Sequence, residues 1–103
     1  MAMLVHNITT KLSWRIEKEW LQWYKENYIP EVLRTELISD HKIFRLLDQE
    51  DDEGPTFTTQ LFFTTMEKYE EYIRLHSPGL RNKAIDKWGN ESISFHTVMQ
   101  LVN

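Results

Sequence analysis

Apolar and polar residues alternate over residues 4–12, with Leu4, His6, Ile8, Thr10 and Leu12 on one side and Val5, Asn7, Thr9 and Lys11 on the other. A period of two predicts a β-strand with one mainly apolar face. The period then changes. Ile16, Trp20, Trp23 and Tyr24 fall at i, i+4, i+7 and i+8, with Lys18, Gln22, Lys25 and Glu26 between them, which predicts an amphipathic helix that Ser13 is placed to cap. Pro30 disfavours helical geometry at Ile29 and suits the first turn of a new helix, so a bend and a short second piece over 31–34 are expected. A second strand is predicted over 41–48, with Ile43, Arg45 and Leu47 opposite Lys42, Phe44 and Leu46. A third follows over 56–65, with Phe57, Thr59, Leu61 and Phe63 opposite Thr58, Gln60, Phe62 and Thr64. Between these strands the acidic run 49–53, closed by Gly54-Pro55, has neither period and reads as a solvated hairpin loop. Thr65 is placed to cap a second helix whose inward stripe is Tyr69, Tyr72, Ile73 and His76. Pro78-Gly79 is expected to interrupt that helix before a further turn or two over 80–88. Residues 91–102 form the last predicted strand, alternating Ile93, Phe95, Thr97, Met99 and Leu101 with Ser92, Ser94, His96, Val98 and Gln100.

The order β, α, β, β, α, β predicts one α+β domain over 1–103, a ferredoxin-like sandwich. Its four-stranded antiparallel sheet would carry both helices on one face. Met1 and Ala2, ahead of Met3, read as a cloning remnant or an alternative start. If Leu4, Ile8, Phe57, Leu61, Phe95 and Met99 pack under the helices, the other face exposes Val5, Asn7, Thr9, Gln60, Phe62, His96 and Val98. Such a face is too apolar to be left to water. It predicts a homodimer joined through the helix-free sheet face, with space for a small-molecule ligand.

Composition narrows the function classes. A length of 103 residues with 41% hydrophobic and 27% charged side chains fits a single globular domain. The net charge of −4 argues against a nucleic-acid partner, which a basic face would have to hold. No stretch approaches the roughly 20 apolar residues of a membrane span, and the N-terminus lacks the pattern of a signal peptide, so a cytoplasmic protein without a membrane partner is expected. The absence of cysteine removes disulfides, thiolate nucleophiles and most structural zinc sites.

Several segments in order carry a family likeness: Asn7-Ile8-Thr9, Glu19-Trp20-Leu21-Gln22-Trp23, Ile29-Pro30-Glu31-Val32-Leu33 and Leu46-Leu47-Asp48. Tyr69-Glu70-Glu71-Tyr72, His76-Ser77-Pro78-Gly79-Leu80-Arg81 and Trp88-Gly89 continue it. From Met3 onward the chain resembles the bacterial family catalogued as domain of unknown function 4286. The resemblance implies a ferredoxin-like domain of the dimeric α/β barrel kind and carries no established activity. His6 and Thr59 stand where that family would have a bulkier aromatic and an aliphatic residue.

Candidate chemistry is sparse. His6, His41, His76 and His96 show no metal-ligand spacing, so no metal site is expected, and nothing calls for a cofactor. A phosphate-cradling glycine loop is absent, since none of the three glycines lies between a strand and a helix start. His96 is the candidate catalytic base, its ordinary pKa suiting proton transfer near neutrality, and its plainer role is a hydrogen-bonded interface residue. Asn7 and Gln60 are candidate ligand-binding amides, or partners for each other. Arg45 can receive a carboxylate, or pair with an acidic neighbour. His76 and Arg81 flank Ser77-Pro78 and can hold an anion, or complement a helix C-terminus. Trp20, Trp23, Tyr24 and Tyr28 can wall an aromatic pocket, although such spacing serves a core equally well. The reading that follows is a homodimeric, non-catalytic small-ligand-binding or interaction module. The alternative is a cofactor-independent oxygenase or isomerase with a pocket between sheet and helices, using His96, Asn7 and Gln60.

Overall fold

The computed structural model describes residues 3–47 and 53–103. The strands are β1 (Leu4–Leu12), β2 (Asp40–Arg45), β3 (Thr56–Phe63) and β4 (Ser92–Gln100). They form one sheet in the order β2-β3-β1-β4 with every neighbouring pair antiparallel. The helical segments are α1 (Glu17–Trp23), α2 (Ile29–Leu33), α3 (Met66–Glu71) and α4 (Ser77–Trp88). This is the ferredoxin-like arrangement that the order of periods predicts. The acidic run lies outside the described residues apart from Glu53, which is exposed at a bend.

Alternation along β1 separates the two faces. Leu4, His6, Ile8, Thr10 and Leu12 are all buried, while Val5, Asn7 and Thr9 are half-buried and Lys11 is exposed. β3 contributes Phe57, Thr59, Leu61 and Phe63 to the buried side. Against them pack Ile16, Trp20, Tyr24, Tyr28, Ile29 and Val32 from the first helical stretch and Tyr72 and Leu80 from the second. Burial of these aromatic and branched side chains is the main favourable term holding helices to sheet.

The prolines do not break the helices. A π-helical turn over Tyr24–Tyr28 joins α1 to α2, and a second over Tyr72–His76 joins α3 to α4. Ile29 keeps helical angles, φ −62° and ψ −44°, and its N–H donates to the carbonyl of Tyr24 five residues back. Ser77 likewise donates to Tyr72. A proline ring crowds the carbonyl four residues upstream, and a widened turn just before it relieves that crowding. The expected bend at Pro30 and interruption at Pro78-Gly79 are therefore replaced by two continuous helical rods. Ser13 makes no side-chain cap, because the rod opens with a 3-10 turn over Trp14–Ile16. Thr65 does cap its helix, accepting from the Lys68 N–H at 3.2 Å.

The face assignment of β4 is corrected. Its register with β1 sets Thr9 opposite Phe95 and Val5 opposite Met99, and it sets Ile8 opposite His96. Phe95 and Met99 thus share the helix-free face with Val5 and Thr9, whereas His96 and Val98 lie on the helix side with Ile8 and His6. Alternation shows that two faces differ but not which one is covered, and the hydrogen-bonded register decides.

Candidate functional site

A cavity of about 330 Å³ opens between the two helical rods and the β1–β4 half of the sheet. Its walls include Trp20, Trp23, Tyr24 and Tyr28 from the first rod, Arg81, Ala84 and Ile85 from α4, and Thr10, Ser94 and His96 from the strands. The aromatic wall is built by helical spacing, and the first π turn extends it. Trp20 and Tyr24 stack with centroids 4.4 Å apart, and Tyr24 and Tyr28 stack at 4.9 Å. These residues are core and cavity lining at once. Tyr24 is fixed from below, its hydroxyl lying 2.6 Å from Oγ1 of the fully buried Thr59. Burial pushes the Tyr24 and Tyr72 phenols well above their ordinary range and the Tyr28 phenol to about 12, so all three stay protonated at neutral pH.

On the strand side two histidines meet. Nε2 of His6 lies 3.0 Å from Nδ1 of His96. They are diagonal neighbours on adjacent strands, since Ile8 pairs with His96 and His6 with Val98. His6 is only 2% exposed, with its ring edge-on to Tyr69 and Tyr72. Burial first, then the nearby His96 and Arg81, holds the His6 pKa down to about 4. Burial and then Arg81 do the same to His96. Both rings are neutral at pH 7. Arg81 is the cavity's one charged lining residue among those described, and it makes no ion pair with any described carboxylate.

The candidate residues named from sequence divide among several places. His96 and Arg81 line the cavity. Asn7 and Gln60 sit opposite one another on the helix-free face, with the Asn7 amide donating to Thr9 Oγ1 at 3.2 Å, so neither reaches His96. The expectation that these three converge is corrected, because β4 presents its other face to the helices. Arg45 lies at the far side of the sheet, 3.5 Å from a Glu17 carboxylate oxygen and 6.0 Å from the Trp14 ring centroid. His76 packs against Tyr72 and borders a separate hollow with Glu31, Gly79 and Lys83. His6 was visible in the sequence only as an oddity, a histidine on an apolar strand face. Knowing that it meets His96 requires the register. Among the described residues no three His, Asp or Glu side chains gather as a metal site would require.

The family model for the domain of unknown function DUF4286 matches residues 3–102. The chain belongs to this family. DUF4286 here shares its fold with solved structures at low identity. A dimeric ferredoxin-like protein from an uncultured marine organism is 7% identical, with a TM-score of 0.77 over 100% of this chain and 98% of that one. A second dimeric ferredoxin-like protein, again from an uncultured marine organism, is 10% identical with a TM-score of 0.69, covering 98% and 95%. SnoaB from Streptomyces nogalater, a cofactor-independent oxygenase, is 15% identical with a TM-score of 0.62, covering 99% and 94%. None of the curated proteins compared with this DUF4286 chain matches it. His6 and Thr59, the two residues that depart from the family's expected pattern, are the ones that make polar contacts to His96 and Tyr24.

Proposed function

We propose that this protein is a homodimeric module that binds a small, largely aromatic molecule in the cavity between its helices and β1–β4. The observation that carries the reading is the cavity itself, about 330 Å³ and walled by four aromatic side chains. That volume sits at the lower end of small-molecule sites, and such sites are mostly apolar with a few placed polar groups. Dimer formation is supported by the helix-free face, where Phe44, Ile93, Phe95 and Met99 are exposed by 46%, 52%, 65% and 43%. Two fold neighbours are described as dimeric, which accords with it. Light scattering at micromolar concentration tests the dimer. A dimeric mass that Phe95→Lys reduces to a monomeric one supports the helix-free face as the interface, and a monomeric wild type overturns it. Calorimetric titration with planar aromatic compounds tests the pocket.

A second reading, a cofactor-independent oxygenase or isomerase, draws on His96 lying in an aromatic cavity and on the shared fold with SnoaB. One fold hosts many functions, so the fold alone adds little. Asn7 and Gln60, on the opposite face, take no part in this version. Oxygen uptake with enolisable aromatic compounds, lost in His96→Ala, would support it, and an equal rate in that variant would remove His96 from the chemistry.

A further inference from the structure

We infer that the cavity selects a planar aromatic anion, its carboxylate or enolate oxygen held jointly by Arg81 and a neutral His96 acting as hydrogen-bond donor. The inference rests on the ligand-binding reading above and adds the chemical class.

Three observations converge on it. The first is the direction of the histidine pair. His6 Nδ1 is buried with no partner. An orphaned N–H is rarer than an orphaned lone pair in native interiors, so Nδ1 is the bare nitrogen and Nε2 carries the proton. His6 Nε2–H then donates across the 3.0 Å contact to His96 Nδ1. The His96 proton is left on Nε2, and His96 presents a donor to the cavity that it lines. Second, Arg81 adds a guanidinium from α4 without a described carboxylate to occupy it. Third, no Asp or Glu lines the cavity. A site with two donors, one of them cationic, and no acid is complementary to one negative oxygen group. The stacked aromatic wall then takes the flat body of the ligand.

A matched pair of probes separates charge from shape: 2-naphthoate and its neutral amide, 2-naphthamide, titrated calorimetrically into the full-length protein. The expected result is that the carboxylate binds wild type about tenfold or more tightly than the amide, as a charge-assisted pair should. Arg81→Gln should remove that preference while leaving amide binding within about twofold, since Arg81 lies at the exposed side of the cavity. Ala84→Phe, which fills the space, should abolish binding of both. Equal binding of the two probes overturns the anion selectivity and leaves the pocket standing. Binding that survives Ala84→Phe places the probe elsewhere and overturns the assignment to this cavity. Heat from neither probe at millimolar concentration overturns the ligand-binding reading and this inference with it.

Discussion

Thr59→Val is a nearly isosteric change that removes one hydroxyl. Tyr24 and Thr59 are 3% and 1% exposed, and their hydroxyls are 2.6 Å apart. Valine keeps the shape and strands the phenol O–H at a place that the packing closes to water. Leaving a buried donor unsatisfied costs about 1–3 kcal/mol. For a domain of this size each kcal/mol lowers Tm by about 4–8 °C, so a fall of about 5–20 °C is expected. Tyr24→Phe should cost less, because the remaining Thr59 hydroxyl can rotate toward another acceptor. In the double variant both polar groups are gone, and its loss should be smaller than the sum of the two singles by about 1 kcal/mol. Urea unfolding followed by far-UV circular dichroism on all four proteins gives that coupling directly. Thr59→Val as stable as wild type, or a coupling near zero, would refute the reasoning: it would mean that water reaches the phenol from the adjoining cavity.

Three further changes are decided by the structure. Gly54 has φ +150°, and a Cβ there would lie 1.6 Å from the Leu12 carbonyl oxygen, so Gly54→Ala should cost about 3 kcal/mol or more; a Tm within about 5 °C of wild type would contradict this. Thr65→Ala should cost about 1 kcal/mol through loss of the cap on Lys68 N–H, read by urea unfolding. Stability should also fall as pH drops from about 6.5 toward 4, because the unfolded chain takes up protons at two imidazoles that stay neutral in the fold until about 4. Above 6.5 this contribution is fully present, and below 4 it is gone. Arg81, Tyr69 and Tyr72 face the pair from the helices. His6→Phe should therefore flatten the slope of stability against pH, and an unchanged slope would show that His6 titrates normally.

Element types were legible because each strand and rod repeats one period for long enough to be read. β1 is the clearest case: its alternation matches its burial, with His6 and Thr10 as buried polar exceptions. Two things escaped the periods. The first is phase in β4, where the larger apolar side chains Phe95 and Met99 point away from the helices and polar Ser94 and His96 point toward them. Size and hydropathy suggested the opposite, because the helix side of β4 borders a cavity rather than a filled core. The second is the effect of proline, which local rules treat as a stop. A widened turn upstream lets the helix carry it, and nothing in the residue types at 24–28 or 72–76 announces such a turn. The site was half visible for the same reasons. His96, Arg81 and the aromatic wall could be named, yet joining His96 to His6 and parting it from Asn7 and Gln60 needed pairing across 90 residues.

The two π turns also set the angular phase of everything after them. Each holds one residue more than an α-helical turn needs, and one residue corresponds to about 100° of rotation around a helix. Removing a single exposed residue such as Arg74 from the turn over Tyr72–His76 would let α3 and α4 join as regular helix. It would also swing Arg81, Ala84 and Ile85 by about 100°, away from the cavity they now line, with none of them altered. The site is thus timed by chain length as much as it is written in side chains, and insertions or deletions within these rods threaten it more than most substitutions do.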